Sequence, residues 1–312
     1  MLALTLAVVL SGWTQVTKDP GFVGFDGKLP FAETQLDVGG STLRILIASG
    51  DLPVGRDAVR AWIEGAAKAT AAYYGRFPGK SATITVLTGM GGQVSGGMTF
   101  GGRAVRIHVG RDATVASMAA DWRLPHELLH LGFVDLDDRY LYLEEGLATY
   151  VEPIIRARAG QISVDRVWND FLDGMPNGAS GEPLALTQSW GNTYWGGARF
   201  WLLADLEIRA KTSGKKTLQD ALRGILEKGG DGKVHLALEE MLALGDAATG
   251  TRVLQKLHAR LGEKGEAANL DALWKQLGVS KQNGKVVFDD TAPLAATRAA
   301  LTSTAAAAKQ AD

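Results

Sequence analysis

The sequence predicts an α+β fold: an N-terminal mixed sheet with helices, followed by a mainly helical C-terminal subdomain. Three observations predict it. Strand-like apolar segments are confined to the first 110 residues, and helical periodicity dominates beyond Gly160. Between them lies a short helical segment bearing two histidines one turn apart. A chain of 312 residues that is 46% apolar can bury one large core or two modest ones. The expected divisions are a signal peptide at 1–17, an α+β subdomain at 20–160, a helical subdomain at 161–294 and an Ala-rich tail at 295–312.

Residues 1–17 contain no charged side chain. Their apolar stretch, 2–10, is too short to span a bilayer and suits the centre of a signal peptide. This predicts export to the periplasm or the extracellular space, with no stable membrane span. The alternative is an uncleaved N-terminal strand in a protein retained in the cytoplasm. There is no cysteine, hence no lipoprotein anchor, disulfide or thiolate ligand. The net charge is −1 and no basic stripe with interleaved aromatics occurs, so nucleic-acid binding is not expected.

Residues 43–48 alternate like a strand, and 56–74 place Val59, Trp62, Ile63, Ala66 and Ala67 at helical spacing. Two further strands are expected at 82–87, after the Phe77-Pro78-Gly79 turn, and at 104–109. Pro125 is tolerated only in the first turn of a helix, where its missing N–H costs little. The histidine helix should therefore begin near Trp122 and stop at Gly132. Beyond Gly160, residues 194–211 read as one helix, and Thr217 with Asp220 forms a capping box for the next. Helices follow at 234–243, 247–261 and 270–277, with a last one from Ala295.

The chemistry lies between Pro125 and Tyr150, which read PHELLH and, further on, LEEGLATY. Residues four apart on a helix differ by about 40° in azimuth and about 6 Å in height. His126 and His130 can therefore address one metal ion, while Glu127, about 100° round, flanks it without ligating. Glu145, opening the next helix, is expected as third ligand in preference to Glu144, with Gly146 allowing the backbone close to the metal. Two imidazoles, one carboxylate and a spare glutamate are the groups of a catalytic zinc site, although cobalt or manganese would also suit them. Glu127 would take a proton from water and pass it to the leaving amine. Thr149 and Glu152, four and seven residues past Glu145, share its face, and either can hydrogen-bond a ligand imidazole. For Glu152, a solvated charge before Pro153 is an equal alternative. Asp135, Asp137 and Asp138 read as turn residues; His108, His235 and His258 read as core or surface residues.

HELLH followed by LEEGLATYVEP resembles the gluzincin clan of zinc metallopeptidases. Tyr194-Trp195-Gly196-Gly197, opening a long segment that ends in GKKTLQD, is similar to the glycyl aminopeptidase family. The likeness spans roughly residues 55–228. It implies a thermolysin-like zincin catalytic domain acting on a peptide or protein substrate. It also implies that Tyr194 donates its hydroxyl to the oxyanion of a tetrahedral intermediate. The residues alone leave Tyr194 as an aromatic packed beside Trp190, Trp195 and Trp201. By the same likeness, Gly96, Gly97 and Met98 lie on the edge strand that aligns substrate.

Two departures stand out. Only fourteen residues separate His130 from Glu145, fewer than is usual in that clan. No Asp or Glu occurs between Glu64 and Asp112, where aminopeptidases carry a glutamate that anchors the substrate α-amine. Arg103, Arg106 and Arg111 occur there instead, pointing to an endopeptidase or to an anionic substrate end, unless they are ordinary solvated strand residues. Two functions are therefore expected from the residues. One is a zinc-dependent peptidase with Glu127 as base; the other is a catalytically inactive, zinc-holding binding protein on the same scaffold. The intact Glu127 favours the first. The sequence specifies no oligomeric state.

Overall fold

The computed structural model describes residues 14–16, 31–48, 52–187 and 189–303. Six strands form one mixed sheet: β1 (Thr14–Val16), β2 (Phe31–Val38), β3 (Ser41–Ala48), β4 (Ser81–Gly89), β5 (Val94–Phe100) and β6 (Ala104–Gly110). Their spatial order is β1-β2-β3-β4-β6-β5. β3, β4 and β6 run parallel, and β1, β2 and β5 pair antiparallel to their neighbours. The strands expected at 43–48, 82–87 and 104–109 are all present, each extended by one to three residues. β2 was not foreseen, because FAETQLDV alternates apolar with polar side chains and carries little overall hydropathy. Apart from β1, the segment expected as a signal peptide lies outside the described residues.

Helix α1 (Arg56–Tyr74), as expected from its spacing, joins β3 to β4 and packs Val59, Ile63, Ala66 and Ala67 on the sheet. Two short helices follow, α2 (Val115–Ala120) and α3 (Arg123–His130), then α4 (Leu141–Arg158) and α5 (Val164–Gly174). Trp122 occupies the position before α3, its carbonyl accepting the His126 N–H, and Pro125 sits in the first turn, where its missing N–H costs little.

Apolar side chains collect in two cores. The first joins the sheet to α1 and α3, through Ile45, Ile63, Val105, Ile107, Leu124 and Leu128. The second is helical and includes Leu129, Phe133, Leu147, Tyr150, Phe200 and Trp201. Helix α3 thus gives Leu124 and Leu128 to one core and Leu129 to the other. Glu127 and His130, between these apolar faces, point into a cleft.

The remaining helices are α6 (Gly197–Thr212), α7 (Leu218–Glu227), α8 (Leu238–Thr249), α9 (Val253–Leu257), α10 (Leu270–Leu277) and α11 (Ala295–Thr302). The capping box of Thr217 and Asp220 opens α7 as expected. Other expectations need correction. Residues 194–211 are not one regular helix: a π-helical turn, Gly191–Gly196, precedes α6. It packs where Gly178 lets the backbone of Gly196 come close, and a Cβ on Gly178 would stand 2.0 Å from the Gly196 nitrogen. No break occurs between 243 and 247; α8 runs through and ends at Gly250, in the left-handed region at φ 67°. A two-stranded hairpin, β7 (Val279–Gln282) with β8 (Lys285–Phe288), stands between the helices expected at 270–277 and from Ala295, where no element was assigned. The tail helix α11 is anchored by buried Arg298, which donates to the carbonyls of Leu277 and Gly278. Residues 304–312 of the expected tail lie outside the described residues. Among the described residues, no helix is long and apolar enough to cross a membrane.

Candidate metal centre

Helix α3 presents His126 and His130 on one side, their rings 4.9 Å apart at 79°. Helix α4 brings Glu145 against them. The Nε2 atom of His126 lies 3.0 Å from Glu145 Oε2, and that of His130 lies 3.6 Å from the same oxygen. One potential ligand atom from each residue falls within 4.8 Å of the others. Glu144 turns away, accepting the Leu136 N–H at 3.1 Å through Oε1. Burial pushes its carboxyl up to about 7.

The electrostatics suit a cation. Burial holds the His126 imidazole below its ordinary pKa, and the neutral form is the ligating one. For His130, burial works in the same direction, but the hydrogen bond and charge of Glu145 outweigh it and the pKa rises. Burial alone would raise Glu145; hydrogen bonds from both histidines instead hold it well below the usual carboxylate range, hence ionised. Two imidazoles and an ionised carboxylate converging in this way fit a divalent metal ion.

Glu127 sits beside this trio and is held by β5. Thr99 Oγ1 lies 2.8 Å from Glu127 Oε2 and 2.8 Å from its carbonyl oxygen. Gly97 leaves room for the Glu127 side chain: a Cβ there would stand 2.9 Å from Glu127 Cγ. Gly96, Gly97 and Met98 all line the cleft, and β5 is an edge strand. Across from them stands Tyr194, stacked on His126 with ring centroids 6.2 Å apart and on Trp190 at 6.1 Å. Burial, then the charge and hydrogen bond of Glu145, push its phenol up to about 12. Tyr194 thus packs beside Trp190 and also turns its hydroxyl toward the trio. The cleft has a volume of about 670 Å³.

Thr149 and Glu152 line a second cavity, of about 420 Å³, behind His126. Glu152 accepts from Arg156 at 2.7 Å, which corrects the alternative of a solvated charge. Among the hydrogen bonds of the described residues, none joins Thr149 or Glu152 to an imidazole. Gly146 is close to helix α6 rather than needed beside a metal: a Cβ there would stand 2.3 Å from the Gly197 Cα. Arg103, Arg106 and Arg111 are not among the residues lining the cleft, and the Arg106 guanidinium lies over the Phe100 ring.

Two neighbours of the trio escaped the sequence reading, and one histidine expected in the core or on the surface lies exposed beside the cleft. Trp122 stands edge-on to His126, with centroids 5.2 Å apart, and walls both cavities; its place four residues before His126 was the available signal. Thr99, two residues from Gly97 on a strand, shares its face. His235 lies at the cleft mouth with Nδ1 3.3 Å from Asp135, a pairing across a hundred residues that no local pattern marks.

No protein-family model matches this chain, and no curated protein matches it. Solved structures do resemble it. An aminopeptidase N family protein from Idiomarina loihiensis superposes with a TM-score of 0.64 at 16% identity, covering 81% of this chain and 51% of its own. A two-domain M1 zinc metallopeptidase determined with L-tryptophan bound gives 0.51 at 19% identity, covering 76% and 52%. Aminopeptidase A from Legionella pneumophila, determined with aspartic acid bound, gives 0.52 at 14% identity, covering 76% and 28%. The chain therefore spans about half, or less, of the length of these structures, and what it shares with them is the fold: the mixed sheet and helices of M1-type aminopeptidases.

Proposed function

We propose that this protein is a zinc-dependent peptidase with a thermolysin-like zincin catalytic domain, its motifs similar to those of the glycyl aminopeptidase family within the gluzincin clan. The observation that carries the reading is the convergence of five side chains on one cleft. His126, His130 and Glu145 are the ligands, Glu127 the general base and Tyr194 the oxyanion donor. Zinc, when bound, supplies the Lewis-acid charge that acidifies water and polarises a carbonyl. The chain's own groups do the rest. Glu127 takes a proton from water and returns it to the departing amine. Tyr194, with its phenol near 12, keeps its proton at neutral pH and offers it as a hydrogen bond to the developing oxyanion. Gly96, Gly97 and Met98 offer backbone groups along the cleft to a peptide laid on the strand edge. Thr149 and Glu152 line the cavity behind His126.

The substrate is a peptide or protein. Strand β5 carries no carboxylate, so the reading favours cleavage of internal bonds over capture of a free α-amine. Export through the N-terminal segment belongs to the same reading. The test is hydrolysis of a quenched-fluorescent peptide library, with free and blocked N-termini, by zinc-loaded protein. Cleavage of blocked peptides that is lost in Glu127→Gln supports an endopeptidase. Cleavage of free N-termini alone assigns an amine anchor outside β5. Stoichiometric zinc with no cleavage defeats the peptidase and leaves the zinc-holding binding protein.

A further inference from the structure

Strand β5 does more than border the cleft: it touches the catalytic carboxylate at two points. Gly97 and Thr99, two residues apart, share the face turned toward α3. Gly97 leaves just the room that Glu127 Cγ occupies. Thr99 then reaches Glu127 Oε2 and the Glu127 carbonyl oxygen at the same 2.8 Å. A threonine hydroxyl has one proton, so it donates to one of these acceptors at a time, and the ionised carboxylate is the stronger. When the carboxyl carries a proton, the hydroxyl can turn to the carbonyl and accept from the acid, so it stays bonded without moving its own carbon frame. β-branching restricts the Thr99 side chain at χ1, which limits where the hydroxyl can swing.

We infer that Thr99 is the positioning residue of Glu127, its hydroxyl fixing the carboxylate that moves the proton and tying that carboxylate to the strand along which substrate lies. The inference rests on the peptidase reading for its kinetic consequence, though not for the contact itself.

Thr99→Val keeps the shape and removes the hydroxyl; Thr99→Ser keeps the hydroxyl. With zinc stoichiometry and melting temperature as controls, Thr99→Val should lower kcat about 10- to 100-fold with KM changed less than about threefold, as expected for a misplaced group used in the transition state. Thr99→Ser should retain kcat within about threefold, on the same hydrogen-bond argument. A second readout needs no activity: the ¹³C carboxyl resonance of Glu127, assigned through Glu127→Gln, should shift in Thr99→Val and stay in place in Thr99→Ser. Wild-type kcat in Thr99→Val, equal loss in both variants, or an unmoved resonance in Thr99→Val each overturn the inference. If the wild-type protein cleaves nothing, the peptidase reading alone fails, and the resonance still decides the contact. Should Thr99→Val not fold, Thr99→Ala is read by the same criteria.

Discussion

Gly146 of α4 and Gly197 of α6 lie backbone to backbone. A Cβ on Gly146 would stand 2.3 Å from the Gly197 Cα, and one on Gly197 would stand 1.9 Å from the Tyr142 carbonyl oxygen. Trp201 fastens the same crossing by donating to the Leu143 carbonyl at 2.8 Å. This contact sets Glu145, next to Gly146, against Tyr194, just before Gly197. Two groups about fifty residues apart in sequence reach one cleft because two helices carry no side chain where they cross.

Gly197→Ala should therefore cost about 1–3 kcal/mol through overpacking, visible as a drop in melting temperature, and should lower peptidase activity by separating Tyr194 from Glu145. A variant of unchanged melting temperature and full activity would mean that the helices part without consequence.

His126→Ala and Glu145→Ala should each lose bound zinc, measured by elemental analysis after dialysis. Each removes one of three converging ligands. One equivalent retained in either variant takes that residue out of the ligand set.

Glu127→Gln should retain zinc and lose roughly 10²- to 10⁴-fold in kcat, the usual contribution of a general base. Full activity with the amide in place would sink the proposed proton transfer.

Tyr194→Phe keeps the stacking on His126 and Trp190 while removing the hydroxyl. It should lower kcat about a hundredfold or more and leave KM little changed. An unchanged kcat would reduce Tyr194 to an aromatic wall of the cleft.

Stability should fall on acidification through a residue that is not among those lining the cleft. His258 is buried, its Nδ1 2.8 Å from the Tyr142 hydroxyl, and burial holds its imidazole below the ordinary 6.5. A depressed histidine stays neutral in the folded chain and takes a proton more readily once unfolded. Its contribution is thus complete above about 6.5 and is lost as pH falls below that value. Melting temperatures between pH 5 and 8 should fall less steeply in His258→Gln than in wild type; equal slopes would assign the effect elsewhere.

The local chemistry was legible in the sequence because it follows helical period and spacing. His126 and His130 one turn apart, Pro125 in a first turn, the Thr217–Asp220 box and the 56–74 helix all depend on neighbours within a few residues. Glu145 was preferred to Glu144 for the sake of Gly146, which packs on α6 instead; the fold turns Glu145 to the histidines and Glu144 to the Leu136 N–H. What the sequence could not determine depends on contacts between distant segments. β2 is polar on alternate residues and becomes a strand only by pairing with β3. The role of Gly146 follows from α6, fifty residues away. Thr99 meets Glu127 and His235 meets Asp135 only once sheet and helices are packed, because hydrogen-bond partners so far apart leave no periodic trace in either segment. The sequence placed His126, Glu127 and His130 on one short helix; tertiary packing brought Glu145, Thr99 and the Tyr194 phenol to them.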